Sequence, residues 1–109
     1  MTDLESVFTW SKKIKWNDNN QNLVENFARL MTEIWRIHPF REGNTRTTSV
    51  FMHLFAKEKG LEFRGEILTQ HLEYLRKALV LAAVEEAPEP VYLLNILTDA
   101  LHMKNNKHD

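Results

Sequence analysis

Leu23-Val24-Glu25-Asn26-Phe27-Ala28-Arg29-Leu30-Met31-Thr32-Glu33-Ile34-Trp35-Arg36-Ile37, followed by His38-Pro39, is the stretch from which the fold is best read. Leu23, Phe27, Leu30, Ile34 and Ile37 recur at steps of three and four, which lays them along one stripe of an α-helix. Pro39 disfavours helical angles for His38, so this helix should end near Ile37.

Working outward, the same period appears on both sides. Upstream, Thr2-Asp3-Leu4-Glu5 has the spacing of a capping box, and Leu4, Val7, Phe8 and Ile14 follow at roughly helical steps. Trp16-Asn17-Asp18-Asn19-Asn20 then reads as a turn able to cap the central helix. Downstream, residues 38–42 read as a short loop. A helix starting at about Gly43 should carry Val50, Phe51, Leu54 and Phe55 inward. Gly60 is its expected stop, with Lys57 and Lys59 in the last turn. The longest pattern runs through Ile67, Leu68, His71, Leu72, Leu75, Leu79 and Ala82, until Ala87-Pro88-Glu89-Pro90 breaks it. Pro90 suits the first turn of a last helix bearing Val91, Leu94, Leu97 and Leu101. Lys104 to Asp109 is polar and expected to fray. Nothing alternates with period two, and there is no repeat or dividing linker. The expectation is all-α: about five helices in a single compact domain over residues 1–109.

Composition narrows the function classes. A chain of 109 residues is the size of one domain with a thin core. Net charge is -1 without long basic tracts, so the electrostatic footprint of a nucleic-acid binder is missing. No cysteine is present, which excludes disulfides and thiolate zinc sites and fits a reducing compartment. The acidic start, Met1 to Glu5, is not a secretory signal, and no run nears the roughly 18 apolar residues of a membrane span. A soluble, cytoplasmic protein with no membrane or nucleic-acid partner is expected.

Chemistry concentrates between Ile37 and Ser49. A helix start exposes unpaired backbone N–H groups and the positive end of the macrodipole, so it can cradle anionic oxygens. Gly43 lets the backbone approach a ligand, and Asn44 tolerates left-handed angles while offering an amide donor. Arg46 can present a planar guanidinium to a diphosphate. Glu42 is a hard oxygen ligand for a magnesium ion that keeps most of its waters. His38 carries an imidazole suited to taking a proton from a hydroxyl. Phe40 has no polar role and should point into the core. Each residue also has a plainer account. His38-Pro39 can be only a helix stop, Gly43-Asn44 a turn, and Glu42 with Arg46 a surface pair worth roughly 0.3–0.5 kcal/mol. The functional account fails if His38 is buried in the interior, or if the Asn44 amides are already taken by the protein's own carbonyls.

The run His38-Pro39-Phe40-Arg41-Glu42-Gly43-Asn44-Thr45-Arg46 resembles the Fic family signature, His-x-Phe-x-(Asp/Glu)-Gly-Asn-Gly-Arg-x-x-Arg. Ile34 to Ile37 looks like the helix that leads into that signature, and the similarity is expected to cover most of residues 20–100, within a core of 20–102. The resemblance implies transfer of AMP from ATP to a Ser, Thr or Tyr hydroxyl of a target protein. It makes His38 the base and Glu42 the ligand of a magnesium (Mg2+) bridging the α- and β-phosphates. Gly43, Asn44, Thr45 and the amides after them form the anion hole, and Arg46 stabilises pyrophosphate. An antitoxin or a second copy of the chain are further partners that it allows. The related Doc toxins, which phosphorylate, supply a second enzyme reading. A catalytically silent binding module supplies a third.

Two departures stand out. Thr45 takes the place of a Gly, and Ser49 that of the second Arg, which the family associates with the γ-phosphate. Losing that contact removes roughly 1.5–3 kcal/mol if it is fully formed, so weak ATP use is expected, with Ser49→Arg strengthening it. The family's β-hairpin flap has no strand-turn-strand counterpart in residues 1–37. The inhibitory pattern (Ser/Thr)-x-x-x-Glu-(Gly/Asn) is not intact: Thr69 to Glu73 is followed by Tyr74, and Gln21 precedes Glu25-Asn26. His53 and His71 are expected to be structural, since no metal-site spacing surrounds them. Trp10, Trp16 and Trp35 are expected at the core and its rim, and Lys12, Lys13 and Lys15 on a solvated face.

Overall fold

Six helices make up the regular structure: α1 (Asp3–Ser11), α2 (Leu23–Ile37), α3 (Asn44–Glu58), α4 (Gly65–Gln70), α5 (Leu72–Ala82) and α6 (Val91–Ala100). The computed structural model describes residues 3–17, 19–37, 44–84 and 86–101, and no strand occurs among them. The expected cap at Thr2 and the polar tail from Lys104 lie outside the described residues.

Helix α2 is the hub. It packs against α1, α3, α5 and α6, while α4 bridges α3 and α6. Its stripe explains this: Leu23, Phe27, Leu30, Met31 and Ile34 are buried, and each such side chain contributes about 1.5–3 kcal/mol when removed from water. The radius of gyration, 13.3 Å, is that of a single compact domain of this length.

The turn before α2 forms as its composition requires. Asn17 and Asn20 each accept an amide hydrogen from the residue two positions on, Asn19 and Asn22, at 2.9 Å. These are Asx turns, and the Asn20 carbonyl then accepts from Leu23 at the start of α2. Trp16 is buried, donates its indole N–H to the Ser11 carbonyl at 2.9 Å, and meets Phe55 edge-on at 5.0 Å. Ile14 follows the end of α1 rather than continuing it, and is half-buried. Phe27, Phe55 and Phe51 extend the aromatic cluster, and Phe8 of α1 joins it through Phe51. Trp10 and Trp35 are half-buried at the rim, as aromatics with polar N–H groups should be.

Helix α3 ends at a left-handed glycine. Gly60 has φ 73°, its N–H bonds the Lys57 carbonyl, and Leu61 N–H reaches back to Ala56. This pair of bonds is the Schellman arrangement.

Four expectations about helices and their faces need correction. The pattern from Ile67 to Ala82 is two helices, because His71 leaves helical angles (φ −130°, ψ 45°) between α4 and α5. His71 is exposed, not on the apolar face. In α3, Val50 and Leu54 point to solvent, and the packed face carries Thr48, Ser49, Met52 and Ala56. In α6, Val91 is exposed, and Leu93, Ile96 and Leu97 are buried. No helix among the described residues is long and apolar enough to cross a membrane.

Candidate active site

The geometry that matters is the junction of α2 with α3. The chain leaves α2 at Ile37 and re-enters helix at Asn44. The Asn44 side chain donates from Nδ2 to the carbonyl of Trp35 at 2.8 Å. Trp35 returns a longer contact, its indole N–H to Thr45 Oγ1 at 3.4 Å. These two bonds clasp the last turn of α2 to the first turn of α3. Trp35 near the end of α2 and Asn44 at the start of α3 are therefore hydrogen-bonded neighbours.

Four of the residues singled out from sequence, His38, Phe40, Glu42 and Gly43, lie outside the described residues. Three are described. Asn44 and Thr45 open α3, and Arg46 is exposed on its first turn. Helix geometry leaves the amides of this turn without intrahelical acceptors, so Asn44, Thr45 and Arg46 supply N–H groups at the positive end of the helix.

The side chain of Asn44 corrects its expected role. It is buried and bonded to the protein's own carbonyl, so it acts here as a latch rather than a free donor to an anion. One of the two conditions set against the catalytic account is thus met for the side-chain amide. Asn44 Oδ1 is also buried, without a hydrogen-bond partner.

Ser49 carries a second correction. It is 2% exposed, and its hydroxyl donates to the Thr45 carbonyl one turn back at 2.9 Å. An Arg at this position has to drive a guanidinium into packed structure. Ser49→Arg is therefore expected to destabilise the junction rather than complement it.

Among the described residues the other histidine is His53. His53 is exposed and lies against Gly65 at the start of α4, where an added Cβ would come within 2.8 Å of Nδ1. No group of three or more His, Asp or Glu residues able to hold a metal ion occurs among the described residues. Sequence reading missed the Asn44–Trp35 clasp. Its signal, an Asn at a helix start nine residues after a helix-borne Trp, has no distinctive pattern.

The domain is all-helical among the described residues, with the start of α3 pinned beside the end of its central helix and the His38-to-Arg46 run between them in sequence. The sequence model of the Fic/DOC family matches residues 2–56, and the chain belongs to that family. The match takes in α1, α2 and the junction and ends within α3, so it starts earlier and stops sooner than the span expected from sequence. At the family level this supports a Fic-type transferase. The comparisons with curated proteins and with solved structures found no match.

Proposed function

We propose that the chain transfers AMP from ATP to a hydroxyl side chain of a target protein in the cytoplasm. The observation carrying this reading is the nine-residue run His38 to Arg46, set between the end of α2 and the start of α3 in a chain of the Fic/DOC family. In this reading His38 takes the proton from the attacking hydroxyl. The hydroxyl oxygen bonds the α-phosphorus, the bond to the β-phosphate oxygen breaks, and pyrophosphate leaves. First-turn amides of α3 and the Arg46 guanidinium offset the charge that develops. Glu42 would hold the magnesium that accompanies ATP, which would neutralise phosphate charge. Catalysis is then mostly positioning and charge neutralisation, with one proton carrier.

A second reading, a Fic fold with little or no turnover, draws support from Ser49. The position of the family's second Arg is not only altered but buried. Incubation with magnesium and α-labelled ATP separates the two. Label that enters the protein or a target, and falls at least about a hundredfold in His38→Ala, supports transfer. No label, with no rise in melting temperature on adding nucleotide, supports the silent fold.

A further inference from the structure

We infer that the outer face of α5, with the start of α6, is an interface between two copies of this chain packed antiparallel about a two-fold axis. Among the described residues eight large hydrophobics are exposed, and six of them fall here: Tyr74, Val80, Leu81, Val84, Val91 and Tyr92. The other two, Val50 and Leu54, stand on α3. Six such side chains make a patch on the order of a few hundred Å², the scale at which exposed apolar surface marks an interaction site. All six lie outside residues 2–56, the part of the chain that the family model matches.

The patch is held as one surface. Tyr74 donates its hydroxyl to the Tyr92 carbonyl at 3.3 Å, which ties the outer side of α5 to the first turn of α6. The Glu89 N–H bonds the Leu81 carbonyl at 2.9 Å, which folds the connection back onto the end of α5. Leu75, Ala78, Leu79 and Ala82 fill the inward side of α5, so Val80 and Leu81 are left outside the core of their own chain. A surface fixed in this way loses little freedom on docking.

Charge selects the occupant. Arg76 and Lys77 stand in the second turn of α5, ahead of Val80 and Leu81, whereas Glu86 and Glu89 follow its C-terminal end. Lys77 is engaged by Glu73 at 3.5 Å, but Arg76, Glu86 and Glu89 have no ion pair among the described residues. One end of the face thus offers a guanidinium and the other end two carboxylates, with apolar side chains between. A partner of a single charge sign is attracted at one end and repelled at the other. A second copy turned end for end about Val80 and Leu81 satisfies both ends. Arg76 of each copy then meets the end of the other that bears Glu86 and Glu89, and the apolar stripes lie against each other. This contact stands whether or not the chain transfers AMP.

Sedimentation equilibrium of the full chain tests it. Between about 1 μM and about 1 mM, the span in which a small interface associates, wild type should shift from the 12.9 kDa monomer to twice that mass. Val80→Lys puts a charge at the centre of the face and should stay monomeric, with unchanged helical circular dichroism. Arg76→Glu should weaken self-association at least about tenfold, the scale of one charge-assisted contact, and so should Glu86→Arg combined with Glu89→Arg. An equal mixture of these two variants should dimerise again, since each copy then meets opposite charge at both ends. A wild type that stays monomeric throughout overturns the proposal and leaves the face to a different partner. So does a dimer that survives Val80→Lys, or a mixture that associates no better than its components. Binding of phosphatidylcholine vesicles by wild type and not by Val80→Lys, without self-association, overturns it in favour of a lipid surface.

Discussion

Helices α2 and α3 are both 15 residues long and lie against each other, yet they are built on opposite plans. Most buried positions of α2 are large and apolar: Leu23, Phe27, Leu30, Met31 and Ile34, beside the smaller Ala28 and Thr32. The buried positions of α3 are Asn44, Thr48, Ser49, Met52 and Ala56, while Val50 and Leu54 face solvent. One helix supplies the core, and the other is shaped to bring its first turn close to its neighbour. Small side chains let backbones approach, and polar ones near a helix start can bond across the junction, as Asn44 does to Trp35. The cost is visible in the two buried polar atoms left unpaired, Asn44 Oδ1 and Thr48 Oγ1. Stability resides in α2 and placement in α3.

The largest effect should follow from cutting into α2. Leu30 has no exposed surface, so Leu30→Ala should lower unfolding free energy by about 3 kcal/mol through lost burial and a residual cavity. Urea denaturation with an unchanged m-value is the appropriate measure. A loss under about 1 kcal/mol would show that α2 is not the hub its packing implies.

Asn44→Ala probes the clasp itself. It strips the Trp35 carbonyl of its 2.8 Å donor and also removes an unpaired oxygen, so the two effects partly cancel. A net loss of about 1 kcal/mol is expected. On the proposed reading, transfer activity should fall further than stability, because the clasp fixes where α3 starts beside α2. An equal drop in AMP labelling and in folded fraction would make the clasp merely structural.

The contrast between the helices also decides what was legible in the sequence. The stripe of α2 was readable because its apolar residues occupy one face, and its end at Ile37 because His38-Pro39 follows. The stop at Gly60 was readable because left-handed angles favour glycine. In α3 the residues Val50, Phe51, Leu54 and Phe55 cover more than one face, so hydrophobicity could not say which was packed. Only the positions of neighbouring helices decide that. The break at His71 carries no glycine or proline and was invisible for the same reason. Of the candidate site, the end of α2 and the start of α3 on either side of the motif run were legible, while His38 to Gly43 lie outside the described residues. That Asn44 spends its amide on Trp35, and that Ser49 is enclosed, are facts of tertiary contact between residues far apart in the helical register.

Thr48 sharpens the comparison in the opposite direction. It has no exposed surface, and its hydroxyl lacks a partner. Thr48→Val keeps the shape and removes the unpaired group. The exchange should be neutral or raise stability by up to about 1 kcal/mol, since valine and threonine have similar helix propensities. A thermal melt showing clear destabilisation would mean that the hydroxyl is bonded in solution.

The smallest effect is expected at Leu54, and it is the sharpest test of how α3 is oriented. The hydrophobic pattern of the sequence places Leu54 inside, which makes Leu54→Ala a core truncation worth about 2–5 kcal/mol. The fold leaves Leu54 58% exposed, one turn beyond Val50 at 50%. On that geometry most of its apolar surface is in water before and after unfolding, and alanine is the better helix former. The two accounts then differ by several kcal/mol at one residue. Urea unfolding of Leu54→Ala should give a change within about 0.5 kcal/mol of wild type. A loss above about 2 kcal/mol would mean that the outward face of α3 is covered in the folded protein. The division between a helix that stabilises and a helix that places would then have to be abandoned.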